Sequence, residues 1–214
     1  RKGIRAIMKI KFIKMQSLGN DFVFIDMTKK KIPLKPRLIR RLCDRRLGVG
    51  ADQLLTIAKS RKADFKTQFY NQDGGEVGMC GNGLRCLAAL IRDTGLSRKK
   101  ELTIETKAGI RTALFTSKNK VRVDMGSPIL KGRQIPVNLN GRVINRPLKV
   151  EGRDYRITCV SVGNPHCVLF VEDLDKYPVE TVGKLLENHS LFPQRTNVEF
   201  IQLLEKKKFS MRVW

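Results

Sequence analysis

Residues 79 to 86, MCGNGLRC, set a thiol between glycines immediately before a helical pattern. Apolar side chains recur at 84, 87, 88 and 91, and Gly95 supplies a stop. Cys80-Gly81-Asn82-Gly83 therefore reads as the loop that feeds a helix N-terminus. Unpaired backbone N–H groups and the positive end of the helix dipole favour an anion there, which suits both a substrate carboxylate and a thiolate. Glycine removes the Cβ atoms that would hold a ligand off the backbone. A thiol in this setting is expected to have a lowered pKa and to serve as a base or nucleophile near neutral pH. That chemistry is expected of Cys80 alone. Cys86 falls on or near the apolar side of the helix, and Cys43, Cys159 and Cys167 read as packing residues.

The elements that must position such a group repeat along the chain. SLGNDFVFID (17–26) has a counterpart in SVGNPHCVLFVED (161–173): Ser17, Gly19 and Asn20 align with Ser161, Gly163 and Asn164 at an offset of 144. A helical pattern follows each, near 36–46 and in PVETVGKLLEN (178–188). DQLLTIA (52–58) and NVEFIQLL (197–204) come next, then FKTQFY (65–70) and FSMRVW (209–214). Four successive elements in one order imply a duplicated unit. The expected fold is α+β, in two pseudo-symmetric lobes over residues 8–125 and 126–214, divided at Gly126-Ser127-Pro128. KIKFIKM, ELTIETKAG with IRTALFT, and VRVDMG read as further strands, with a hairpin turn at Ala108-Gly109. Asn20 and Asn164 read either as turn residues or as amides aimed at a ligand, and Gln53 and Asn197 either as strand starts or as the same kind of amide. By the repeat, the counterpart of Cys80 falls ten residues beyond Trp214.

Charge raises a rival reading. Forty-three Lys and Arg against twenty Asp and Glu give +23, and KKKIPLKPRLIRRLCDRR (29–46) is the densest basic run. That run also carries Leu38, Ile39 and Leu42 at helical spacing, so it reads as a helix with a solvated basic face. No zinc-finger spacing, aromatic RNA-binding motif or recognition helix accompanies the charge, which leaves nucleic-acid binding the lesser reading. No apolar run approaches the ~20 residues of a membrane span. The opening RKGIRAI fits neither a signal nor a transit peptide, and Met8 is the expected start, after an upstream extension. Five cysteines without paired spacing argue against a disulfide framework or a zinc site, and a reducing cytoplasm is expected.

Taken in order, KMQSLGNDFVFID, GVGADQLL, FYNQDGGEVGMCGNGLRC, SVGNPHCVLFV and RTNVEF resemble the diaminopimelate epimerase family, from about Met8 to Trp214. The resemblance implies strands wrapped around a central helix in each of two lobes. It also implies an isomerase that interconverts LL- and meso-2,6-diaminopimelate without pyridoxal phosphate or another cofactor, in the synthesis of lysine and peptidoglycan precursors. One cysteine as thiolate removes the α-proton, and a second, as thiol, returns one from the opposite face. Position by position, Cys80 matches the first thiol and the backbone of Gly81 and Asn82 the cradle for the reacting carboxylate. Asn20, Gln53, Asn71, Asn164 and Asn197 match substrate contacts, and His166 a histidine that tunes the thiols. Amide side chains both donate and accept, so a ring of them suits a ligand with two carboxylates and two ammonium groups. A cytoplasmic homodimer is implied, with no metal and no membrane or nucleic-acid partner. The Glu-Arg pair and second glycine-rich loop that follow in family members are not in this sequence, and a C-terminally truncated member without activity of its own is expected. The alternatives are a proline racemase-like or phenazine-pathway isomerase of the same fold, or a basic nucleic-acid-binding module that has lost catalysis.

Overall fold

Alternating apolar side chains need a covered face on each side of a strand, and the first lobe covers both. The computed structural model describes residues 9–214 apart from Asn119. The basic opening and the start expected at Met8 lie outside the described residues. β1 (Ile13–Ser17) and β2 (Asn20–Asp26) pair antiparallel across Leu18-Gly19. Both turn residues have positive φ, 52° and 88°, the geometry that matches the twist of a two-residue hairpin. β3 (Gln53–Lys59) lies parallel to β2, and α1 (Pro36–Cys43) forms the crossover between them. Val23, Ile25 and Leu54 point to one face and close against Ile39 and Cys43 of α1. Phe22, Phe24, Leu55 and Ile57 point to the other and close against Leu84, Leu87, Ala88 and Ile91 of α2 (Gly81–Asp93). Each such side chain fully buried is worth about 1.5–3 kcal/mol before the entropy of ordering it is subtracted.

FKTQFY is not one strand. It divides into β4 (Phe65–Lys66), which joins β3 to β7 (Glu101–Thr106), and β5 (Phe69–Asn71), which pairs with β3 and with β6 (Glu76–Val77). The break is held by Thr56, whose Oγ1 accepts the Gln68 N–H at 3.1 Å while its own N–H donates to Gln68 O. β8 (Gly109–Ser117) and β9 (Lys120–Val123) complete the sheet. The β7–β8 turn is at Lys107-Ala108, one residue earlier than the sequence suggests, because Gly109 already pairs with Thr106. Of KIKFIKM, only the part from Ile13 is strand.

The chain divides into two compact units, up to Met125 and from Gly126. In the second, β10 (Arg146–Val150), β11 (Arg153–Ser161), β12 (Pro165–Phe170), β13 (Asn197–Glu205) and β14 (Lys208–Val213) form one sheet in that order. β12 and β13 run parallel, with α3 (Val179–Glu187) as their crossover. The duplication holds at the level of register: Phe22 pairs with Gln53 and His166 with Asn197, while Leu55 pairs with Phe69 and Glu199 with Val213. Each of those positions is displaced by 144 from its counterpart. Cys167, Leu169, Val198 and Phe200 close against Val182 and Leu186 of α3, as the equivalent face of the first unit does on α1. Trp214 lies flat over Gly183 of α3, where an added Cβ would sit 2.4 Å from its Cβ and Cγ, and the indole N–H donates to Glu187 at 2.9 Å.

Candidate active site

Cys80 is the N-cap of α2, with φ −138° and ψ 119°, and its carbonyl accepts the first helical bond from Leu84 N at 2.9 Å. Gly81, Asn82 and Gly83 are thus the first turn of the helix itself, not the loop before it. Their N–H groups are among the first four, which have no intrahelical acceptor. Two of the glycines are explained by packing. A Cβ on Gly83 would meet Leu55 Cδ2 at 2.9 Å and Phe69 Cε1 at 3.1 Å, and one on Gly81 would meet Met125 Sδ at 3.0 Å. The helix start is seated directly on the sheet, so its free N–H groups and Cys80 share a fixed base.

Of the five cysteines, all unpaired, Cys80 alone is not buried. Its thiol is nevertheless pushed up, contrary to the lowering expected from the helix end. Removal from water dominates; the N–H groups of Asn82 and Gly83 and the charge of Arg85 oppose it, and Asp52 adds to it. The help of the helix start falls short of the desolvation cost. Burial pushes Cys43 and Cys86 up to about 11. Cys167 is pushed up by its hydrogen bond with Cys159 and by burial.

Around this helix start the first unit gathers amides. Asn82 donates to Asn20 Oδ1 at 2.6 Å, and Asn20 donates to Asp52 Oδ2 at 3.4 Å. Arg85, one turn along α2, donates to Asn82 Oδ1 and to Ser17 Oγ, the latter at 3.4 Å. Gln53 donates to Asn71 Oδ1 at 2.8 Å, as their facing positions in β3 and β5 allow. The other end of that amide, Gln53 Oε1, is buried without a partner and is an acceptor left free. Asp52 is fixed by a charged cluster: Arg45 donates to both oxygens of Asp21 at 2.8 and 2.9 Å and to Asp52 Oδ1 at 2.7 Å. Arg45 holds the Asp21 carboxyl well below the usual carboxylate range.

The second unit holds the remaining expected residues together by itself. His166 Nδ1 lies 2.5 Å from Glu199 Oε1, and its Nε2 lies 2.9 Å from Asn164 Oδ1. Asn197, register partner of His166, donates to Pro165 O at 3.0 Å. Glu199, Arg85 and Asp52 were not among the residues expected from sequence. Glu199 had a signal, a carboxylate inside the apolar run NVEFIQLL; the other two became visible only through their contacts. Among the described residues, no group of three or more His, Cys, Asp and Glu side chains is placed to hold a metal ion. No helix there is long and apolar enough to cross a membrane.

Comparison of the backbone with solved structures defines the class of fold. The chain superposes on a hydroxyproline epimerase from Agrobacterium vitis with TM-score 0.66 at 15% identity, covering 94% of this chain and 68% of that one. It superposes on a probable proline racemase from Agrobacterium radiobacter K84 with TM-score 0.67, also at 15% identity, covering 96% and 69%. A phenazine biosynthesis protein from Bacillus anthracis gives 0.61 at 20% identity, covering 96% and 70%. Sequence carries the assignment further. The profile of the family described as diaminopimelate epimerase matches residues 12–131 and 158–214. The diaminopimelate epimerase of Moorella thermoacetica is 49% identical over 209 residues, 95% of this chain and 75% of the relative. That of Leptospira biflexa is 44% identical over 214 residues, 97% and 76%. The chain belongs to the diaminopimelate epimerase family and is an enzyme of the racemase and epimerase class.

Proposed function

We propose that this protein interconverts LL- and meso-2,6-diaminopimelate by two-base proton transfer at the α-carbon, with Cys80 as one of the two groups. The observation that carries the reading is the placing of Cys80: the only cysteine not buried, at the N-cap of α2 beside the N–H groups of its first turn. The N–H groups of Gly81 and Asn82, at the positive end of the helix, suit the reacting carboxylate, whose charge grows as the α-proton leaves. Cys80 with its raised pKa is in the thiol form at neutral pH, ready to give a proton; to take one it must first lose its own. The amides Asn20, Gln53, Asn71 and Asn82 supply donors and acceptors in the first unit. The free acceptor Gln53 Oε1 suits an ammonium group. Asn164 and Asn197 of the second unit are substrate contacts in this reading, and His166 tunes the thiol chemistry.

The remaining four cysteines are buried, so none of them is the opposing acid/base group. The reaction as proposed uses no cofactor. Unpaired cysteines throughout fit a reducing cytoplasm. The homodimer implied by the family resemblance belongs to the same proposal, and sedimentation equilibrium measures it directly. Turnover decides the substrate. With diaminopimelate, proline and 4-hydroxyproline offered in parallel, only the diaminopimelate isomers are expected to interconvert. Turnover of proline at a comparable kcat/KM would overturn the assignment.

A further inference from the structure

The two units are duplicates in register, yet one pair of equivalent positions differs in kind. Phe22 and Leu55 of the first unit are fully buried, and both lie against the position of Gly83 in the first turn of α2. Their equivalents in the second unit are His166 and Glu199. Two apolar side chains that floor the helix start carrying Cys80 are thus replaced by a hydrogen-bonded acid and imidazole. Glu199 is 7% exposed and stands in the sheet beside Val168 and Val213, a costly place for a carboxylate. Its Oε1 is engaged by His166 Nδ1, and Oε2 has no partner. The first unit carries Leu55 at this position, and what the carboxylate adds in the second is its contact with the ring.

We propose that Glu199 is a positioning residue: its carboxylate holds His166 through Nδ1 and so turns Nε2 onto Asn164 Oδ1. The amide of Asn164 is thereby fixed with its NH2 group directed away from the ring, free to donate to an acceptor of the ligand. Each ring nitrogen thus has an oxygen of its own, Nδ1 the Glu199 carboxylate at 2.5 Å and Nε2 the Asn164 amide oxygen at 2.9 Å, so the ring is held at both ends. Among the described residues, Glu199 is the acidic side chain in contact with the ring. On its own strand, Cys167 points to the opposite face, toward the α3 core. Across the register, Val160 of β11 and Asn197 of β13 bring no charge. The use of Asn164 toward ligand rests on the function proposed above; the ring arrangement does not.

The test separates those two layers. The sequence has two histidines, so nitrogen NMR of the full chain resolves His166 from His189, with assignment by His166→Gln. In the wild type both ring nitrogens of His166 are expected to be hydrogen-bonded, Nδ1 to Glu199 and Nε2 to Asn164. In Glu199→Gln and Glu199→Leu the Nδ1 signal should move as its partner is weakened or lost, and the Nε2 signal should move with it as the ring turns. Leucine is what the first unit carries at this position, and circular dichroism checks that the second variant keeps its fold. Steady-state kinetics of the full-length enzyme with diaminopimelate form the second arm. KM is expected to rise about tenfold in both variants, the value of one hydrogen bond to an oriented amide, while kcat falls less. Ring-nitrogen signals that are the same in wild type and both variants overturn the proposal whatever the activity. A ring that changes while KM stays constant overturns the role of Asn164 and leaves the proposed reaction standing.

Discussion

Cys80 is the residue on which the chemistry turns, and its surroundings push it in opposite directions. Burial raises the thiol and the helix start lowers it, and burial prevails. The sequence shows the helix end and the glycines plainly, but the extent to which Leu55, Phe69 and Met125 close around them is a property of packing, and so the expected sign was wrong. A raised pKa has a readable consequence. With iodoacetamide under native conditions, one thiol of five should react, at Cys80. Its rate should climb about tenfold per pH unit through neutrality and level off only above the ordinary thiol value, because the thiolate is the reacting form. A plateau already reached below pH 7, or a second thiol reacting equally fast, would contradict the geometry. The places of the amides in the fold were legible for a different reason: Asn20 and Gln53 repeat at Asn164 and Asn197, at the same strand ends of the two copies. Glu199 was missed because its repeat partner is Leu55, and a duplication searched for likeness hides the places where the copies diverge.

At the scale of elements, α2 and α3 both carry a glycine inside or at the start of a helix, where glycine costs up to about 1 kcal/mol relative to alanine. Both are bound to a neighbour. Gly83 brings the first turn of α2 down onto Leu55 and Phe69, and Gly183 lets the ring of Trp214 lie across α3. Gly83→Ala and Gly183→Ala should therefore destabilise by about 1–3 kcal/mol each, by overpacking, instead of gaining the helix propensity of alanine. Urea unfolding followed by circular dichroism measures both, and a stabilised variant in either case would show that the contact is slack. Helix positions were readable from the spacing of Leu84, Leu87, Ala88 and Ile91, all fully buried, because a one-sided apolar stripe has a single way to be covered. The split of FKTQFY was not readable, since it depends on the hydroxyl of Thr56 in a strand twelve residues earlier.

In the molecule as a whole the repeat governs what each face does. The face of the first unit formed by Phe22, Phe24, Leu55 and Ile57 is covered by α2. The corresponding face of the second unit carries Phe170, Leu203, Phe209, Met211 and Val213, each at least half exposed. The offset of 144 was legible because strand order, crossover helix and register are all conserved between the copies, down to the pairing of Gln53 and Asn197 with their partner strands. The central claim for the molecule is that Cys80 moves the α-proton of diaminopimelate. Exchange of that proton with deuterated solvent, followed by proton NMR in the full-length enzyme, tests it most directly. Cys80→Ala should lower the exchange rate by about 10²- to 10⁴-fold, the usual worth of a positioned acid/base group, while the protein stays folded. Exchange at the wild-type rate in Cys80→Ala would contradict the account.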